Sequence, residues 1–144
     1  MSHCTCSMKG GDLAELCIAF GKAIYKQADR FLSAYGLTPS QFEILTVLSE
    51  EGTVPLNRLS ERLCCAGSNV TGIVDRLERD GLAKRERSQE DRRVILLGLT
   101  DKGQEMWKSV PHGGCCGMRL DSILDRAEES ELRRILEKFL AAMA

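Results

Sequence analysis

Residues 59–100 read LSERLCCAGSNVTGIVDRLERDGLAKRERSQEDRRVILLGLT, and the order of elements in this stretch decides the fold. Leu59 and Leu63 lie inward on a short helix that starts at Leu56. Ala66-Gly67 makes a turn, and Ser68 is a good N-cap for a helix over 69–80. Val70, Ile73, Val74 and Leu77 stand at i, i+3, i+4 and i+7, so one face of that helix is apolar. Gly81 closes it. Two short extended runs follow, 82–87 and 94–99, with the polar residues 88–93 between them. That pattern predicts a β-hairpin with a charged tip.

On the N-terminal side, Leu13, Leu16, Cys17, Phe20, Ile24, Phe31 and Leu32 recur at helical spacing, with Asp12 as N-cap and Gly36 as the stop. Thr38-Pro39-Ser40-Gln41 opens a second helix with proline at its first position, where a missing N–H costs nothing. Gly52 ends that helix, and Val54-Pro55 reads as an extended link. On the C-terminal side, Thr100-Asp101 starts a fifth helix, which Pro111-His112-Gly113-Gly114 interrupts. Ser130 is read as the cap of a last helix with the stripe Leu132, Ile135, Leu136, Phe139 and Leu140. Residues 1–11 hold too few apolar side chains to pack and read as a flexible arm.

A short helix, a glycine turn, a second helix and a hairpin with an arginine-bearing tip together suit duplex DNA. The second helix of such a unit enters the major groove, and its N-terminal residues reach base edges. The outward residues here are Ser68, Asn69 and Thr71, with the small Gly72 beside them and Asp75, Arg76 and Arg79 further along. Asn and Thr hydrogen-bond bases, and Thr also touches the thymine methyl. Arg92 and Arg93 at the hairpin tip fit the narrow, electronegative minor groove. Charge alone is a weak guide. The net charge of the 144 residues is −1, and 58–93 carries nine basic against seven acidic residues, which also describes a solvated mixed face.

LTPSQFEILTVL (37–48), DRLERDGL (75–82), EDRR (90–93) and LT-x-x-G (99–103) closely resemble the MarR family of winged-helix regulators. The likeness extends over 12–143. It implies a mainly α fold with a small β-hairpin wing: a winged helix-turn-helix over 37–99, flanked by a dimerisation region of N- and C-terminal helices at 12–36 and 100–144. It further implies a homodimer that acts as a repressor on a near-palindromic operator and is released by an effector. Carried onto this chain, Ser68, Asn69, Thr71 and Arg76 match recognition-helix positions, and Arg92 and Arg93 match the wing. Asp75 and Asp91 match acidic positions that often pair with wing arginines.

Seven cysteines is a high count for this length. No apolar run approaches the roughly 20 residues of a membrane span, and 1–11 is no secretory signal, so a cytoplasmic protein with no membrane partner is expected. In a reducing cytosol, thiols point to metal or redox chemistry more than to disulfides. His3, Cys4 and Cys6 form one cluster, and His112, Cys115 and Cys116 another. Thiolate with imidazole is a ligand set for zinc and other thiophilic ions. Each cluster supplies at most three ligands, and the two together could complete a site. Three glycines and a proline are costly in a helix, at about 1 kcal/mol per glycine. The second cluster therefore reads either as an irregularity with a sensing role or as a tolerated bend.

Cys17 lies in a segment resembling the reactive-cysteine stretch of the hydroperoxide-sensing branch, but Pro39 and Phe42 stand where that branch has tyrosines. A small buried hydrophobe is the favoured reading, and a redox thiol is the alternative. Adjacent Cys64 and Cys65 are poorly placed to bridge each other.

The expected function is thus a sequence-specific DNA-binding repressor sensing a metal, metalloid or oxidant at cysteines. One alternative is the same repressor with a small organic effector. Another, of a different class, is a thiol-based module that binds soft metals without regulating transcription. An enzyme is disfavoured. The sequence has no Cys-x-x-Cys, no phosphate-binding glycine loop and no nucleophile–base pair.

Overall fold

A computed structural model describes residues 12–63, 70–111 and 123–143. Its elements are α1 (Leu13–Ser33), α2 (Pro39–Glu51), β1 (Val54–Pro55), α3 (Leu56–Arg62), α4 (Val70–Arg79), β2 (Ala83–Arg87), β3 (Ile95–Leu99), α5 (Asp101–Ser109) and α6 (Arg126–Met143). The mainly α fold with a small hairpin is as the sequence predicts.

Local chemistry sets the ends of the helices. The Asp12 carboxylate accepts from the Ala14 N–H at 3.0 Å to start α1. Thr38 and Gln41 form a reciprocal capping box at α2, at 2.9 and 3.3 Å, with Pro39 inside it. Gly36 and Gly81 sit at φ 71° and 72°, where residues with a Cβ are strained. At each, the next residue's N–H reaches back five positions, Leu37 to the Leu32 carbonyl and Leu82 to the Leu77 carbonyl. This closes the helix in the Schellman manner. The closure at Gly81 turns the chain from α4 straight into β2.

The last helix departs from expectation. Asp125, not Ser130, is its cap: Asp125 Oδ1 accepts from the Ala127 and Glu128 N–H groups at 2.8 and 2.9 Å. Glu128 returns a bond to the Asp125 N–H at 2.9 Å. The Asp-x-x-Glu pair satisfies orphan donors a turn earlier than Ser130 could, which leaves Ser130 inside the helix.

The sheet is antiparallel with order β1-β3-β2. Val54 pairs Leu97, and Ala83 pairs Leu99 through to Arg87 opposite Ile95. Residues 54–55 are therefore an edge strand and not merely a link. Pro55 is tolerated there because an edge needs no donor on its open side. Leu97, on the central strand, is fully buried. Around it gather Leu32, Ile44, Leu45, Leu48, Leu59, Val74, Leu77 and Val110, one core shared by α1, α2, α3, α4 and the sheet. Trp107 Nε1 donates to Thr46 Oγ1 at 3.2 Å, tying α5 to α2.

Two helix faces find no cover among the described residues. Leu13, Leu16 and Ile18 of α1 are exposed, as are Phe139, Leu140 and Met143 of α6. Among the described residues, no helix is long and apolar enough to cross a membrane.

Candidate nucleic-acid interface

Helix α4 buries Val74 and Leu77 and turns Thr71, Asp75, Arg76 and Arg79 outward. Its orientation to the hairpin is fixed by Arg85 on β2. The Arg85 backbone N–H donates to Glu78 Oε1 at 2.8 Å, and its guanidinium donates to Glu78 Oε2 at 2.5 Å. The same guanidinium reaches Asp75 Oδ1 at 2.7 Å. Three contacts from one residue thus lock the register between helix and strand. Asp75 does pair with an arginine of the hairpin, but with Arg85 in the strand and not with Arg92 or Arg93 at the tip.

The tip is built by its own polar side chains. Ser88 Oγ accepts from the N–H groups of Glu90 and Asp91 at 3.3 and 3.4 Å. Asp91 Oδ1 accepts from the Arg93 N–H at 2.9 Å. The Asp91 carboxylate therefore holds backbone and is not ion-paired with a guanidinium. Arg92 and Arg93 are exposed, and among the described residues neither they nor Arg76 form an ion pair. Several other arginines are ion-paired within the chain. Glu51 binds both Arg62 and Arg58, Arg85 has its two carboxylates, and Arg79 faces Asp80 at 3.4 Å. Free guanidinium groups thus lie on the outward side of α4 and at the hairpin tip, and also at Arg30, Arg87 and Arg126.

Of the residues singled out from sequence, Thr71, Arg76, Arg92 and Arg93 lie on this exposed side. Ser68 and Asn69 fall outside the described residues, as do His3, Cys4, Cys6, His112, Cys115, Cys116, Cys64 and Cys65. Among the described residues, no group of three or more His, Cys, Asp or Glu is arranged to hold a metal ion. Cys17 is exposed, contrary to the buried hydrophobe expected, because among the described residues no other element lies over the first half of α1.

Sequence reasoning missed the Arg85 anchor, although Asp75, Glu78 and Arg85 were all visible as charges. It also gave no residues for a cavity of about 470 Å³ bounded by Phe31 of α1, by Phe42, Glu43, Val47 and Glu50 of α2, by Arg62, and by Val110 and Pro111. Burial raises the Glu43 carboxyl above its ordinary value of 4.5, against the opposing charge of Arg62.

The MarR family profile matches residues 37–95, the segment holding α2, α3, α4, β2 and the hairpin tip. The HTH-type transcriptional regulator YkoM of Bacillus subtilis (strain 168) is 32% identical over 118 residues, covering 81% of this chain and 77% of that protein. The transcriptional repressor MprA of Escherichia coli (strain K12) is 31% identical over 134 residues, 91% of this chain and 76% of its own. Among solved structures, a cysteine-to-serine mutant of MarR from E. coli complexed with operator DNA has a TM-score of 0.79 at 23% identity. That match covers 89% of this chain and 93% of the other, and shows the shared fold.

Proposed function

The chain belongs to the MarR family, whose members are transcription regulators and not enzymes, and from that premise we propose that it is a repressor that binds duplex DNA as a homodimer. The observation that carries the reading is the distribution of free charge. Arg76 on α4 and Arg92 and Arg93 at the hairpin tip are exposed and, among the described residues, free of ion pairs, on the two elements that such a unit presents to DNA. α4 lies in the major groove with Thr71 and Arg76 toward base edges, preceded by Ser68 and Asn69, and the wing arginines reach the adjacent minor groove. The uncovered apolar faces of α1 and α6 are the surfaces through which two copies join.

Selection from a random duplex library with the full chain tests this. Near-palindromic half-sites about one helical turn apart should emerge. On the selected duplex, Arg93→Ala should weaken binding and shrink the salt slope by about one unit. No enriched sequence, or unchanged affinity in Arg93→Ala and Arg76→Ala, would remove this interface.

The effector reading has two forms. In one, the donor sets His3, Cys4, Cys6 and His112, Cys115, Cys116 take a thiophilic ion such as zinc or undergo thiol oxidation, and Cys17, exposed on α1, is an additional oxidisable thiol. The chemistry of the donors supports it. Elemental analysis and thiol counting on anaerobically purified protein, with Cys115→Ser and Cys116→Ser as controls, test it. In the other, a small organic effector enters the cavity between α1 and α2 and shifts the population toward a dimer that does not fit DNA. The cavity's size, within the range of small-molecule sites, favours that form.

A further inference from the structure

The cavity between α1 and α2 is built to select its occupant by charge. Phe31, Phe42 and Val47 make its walls apolar, while Glu43 and Glu50, two turns apart on α2, bring carboxylates to it. Among the described residues, Glu43 forms neither a hydrogen bond nor an ion pair. The cation at the rim, Arg62, is bonded to Glu51, which also holds Arg58, and the two carboxylates of the lining outnumber this one guanidinium. A half-buried carboxylate with no partner of its own is an unfavourable arrangement in the empty site. Desolvation has already raised its pKa, in spite of Arg62. A cationic group entering beside it would add to the counter-charge that Arg62 supplies only in part. Phe31 and Phe42 in the lining add aromatic surface, which attracts cations at its face. An anion of the same shape would meet two carboxylates and find the nearby guanidinium engaged.

The geometry points to an organic cation as the ligand class of this cavity: an apolar, aromatic or branched body carrying a quaternary ammonium, a phosphonium or a protonated amine. The inference rests on the organic-effector reading for the location of the site, and its test separates the two.

Tetraphenylphosphonium and tetraphenylborate are nearly identical in shape and opposite in charge. Equilibrium dialysis of each against the full chain without DNA should show the phosphonium binding about tenfold more tightly. Glu43→Gln should weaken phosphonium binding by about fivefold to tenfold and leave the borate unchanged or tighter. Glu50→Gln should act in the same direction, and thermal melts of both variants establish that they are folded. Borate binding as tight as phosphonium, no phosphonium binding, or phosphonium affinity unchanged in both variants overturns the proposal. Phosphonium that binds in this pattern yet leaves the selected duplex bound would support the ligand class and reject the effector role.

Discussion

Replacing Gly103 by alanine sets two effects against each other at the joint between hairpin and α5. Alanine is the better helix former, worth up to about 1 kcal/mol over glycine in a helix interior and less in the first turn. At this position, however, a Cβ would lie 1.9 Å from the Leu82 carbonyl oxygen, 2.9 Å from its carbon and 3.1 Å from Leu99 Cδ2. Reaching the 3.0 Å below which Cβ contacts essentially do not occur requires a retreat of 3.0 − 1.9 = 1.1 Å by one backbone or the other. The Leu82 carbonyl also accepts from the Thr100 N–H at 3.2 Å, so that bond is strained by the same shift. Overpacking costs about 1–3 kcal/mol and a lost hydrogen bond about 1 kcal/mol more. The clash wins, and the net destabilisation is about 2 kcal/mol. For a chain of this size that is a fall in Tm of about 4–8 °C. Circular dichroism melts at fixed protein concentration measure it, with fluorescence anisotropy on the selected duplex alongside. A Gly103→Ala protein that melts at or above the parent temperature would falsify the close approach of α5 to Leu82.

Three other perturbations address separate features. Arg85→Gln should destabilise by about 1 kcal/mol, since the contacts are partly exposed. A double-mutant cycle with Glu78→Gln should recover most of that as coupling energy, and zero coupling would mean that the helix–strand register is held by packing alone. Glu43 has a folded-state pKa raised above the ordinary 4.5, so the folded chain binds more protons there than the unfolded chain. Stability is then lost as pH rises through the folded value, with Arg62 and Glu50 the other charges facing the cavity. The Tm of Glu43→Gln minus that of the parent should accordingly be more positive at neutral pH than near pH 4, and a difference flat with pH would contradict the burial effect. Phe139→Glu should shift sedimentation toward the monomer, because it places charge on the uncovered face of α6; unchanged dimer mass would move the interface elsewhere.

The reading half of the fold was legible because its signals are local. The Val70, Ile73, Val74, Leu77 spacing, Gly81 and the polar 88–93 tip each state their conformation within a few residues. β1 was not legible as a strand because two residues carry no alternation; its pairing with Leu97 and Leu96 exists only once β3 is in place. The α6 cap is ambiguous in sequence because Ser130 and Asp125 are both good cap residues, and the Glu128 return bond distinguishes them. Arg85 was visible as one charge among many. What singles it out is a meeting with Asp75 and Glu78 across two elements, which periodicity does not encode. The apolar stripe of α1 is legible as a stripe, but Cys17 on it is exposed because burial requires a neighbour that the described residues do not provide. The cavity draws its lining from α1, α2, the end of α3 and the residues after α5, and so has no signature in any one segment.

Thr100 carries a mechanical consequence. Its hydroxyl donates to the Gly81 carbonyl at 2.6 Å and accepts from the Gly103 N–H at 3.0 Å. Lys102 Nζ adds a bond to the Asp80 carbonyl at 2.6 Å. The end of α4, the root of the hairpin and the start of α5 are thereby clamped into one elbow with no slack. Such an elbow acts as a lever. The five-residue arm from Ala83 to Arg87 extends about 17 Å at about 3.3 Å per residue. A tilt of α5 by about 10° would therefore sweep the arginines at the tip by about 3 Å, the length of a hydrogen bond. A change of angle of that size is enough to part the tip arginines from any hydrogen-bonded partner.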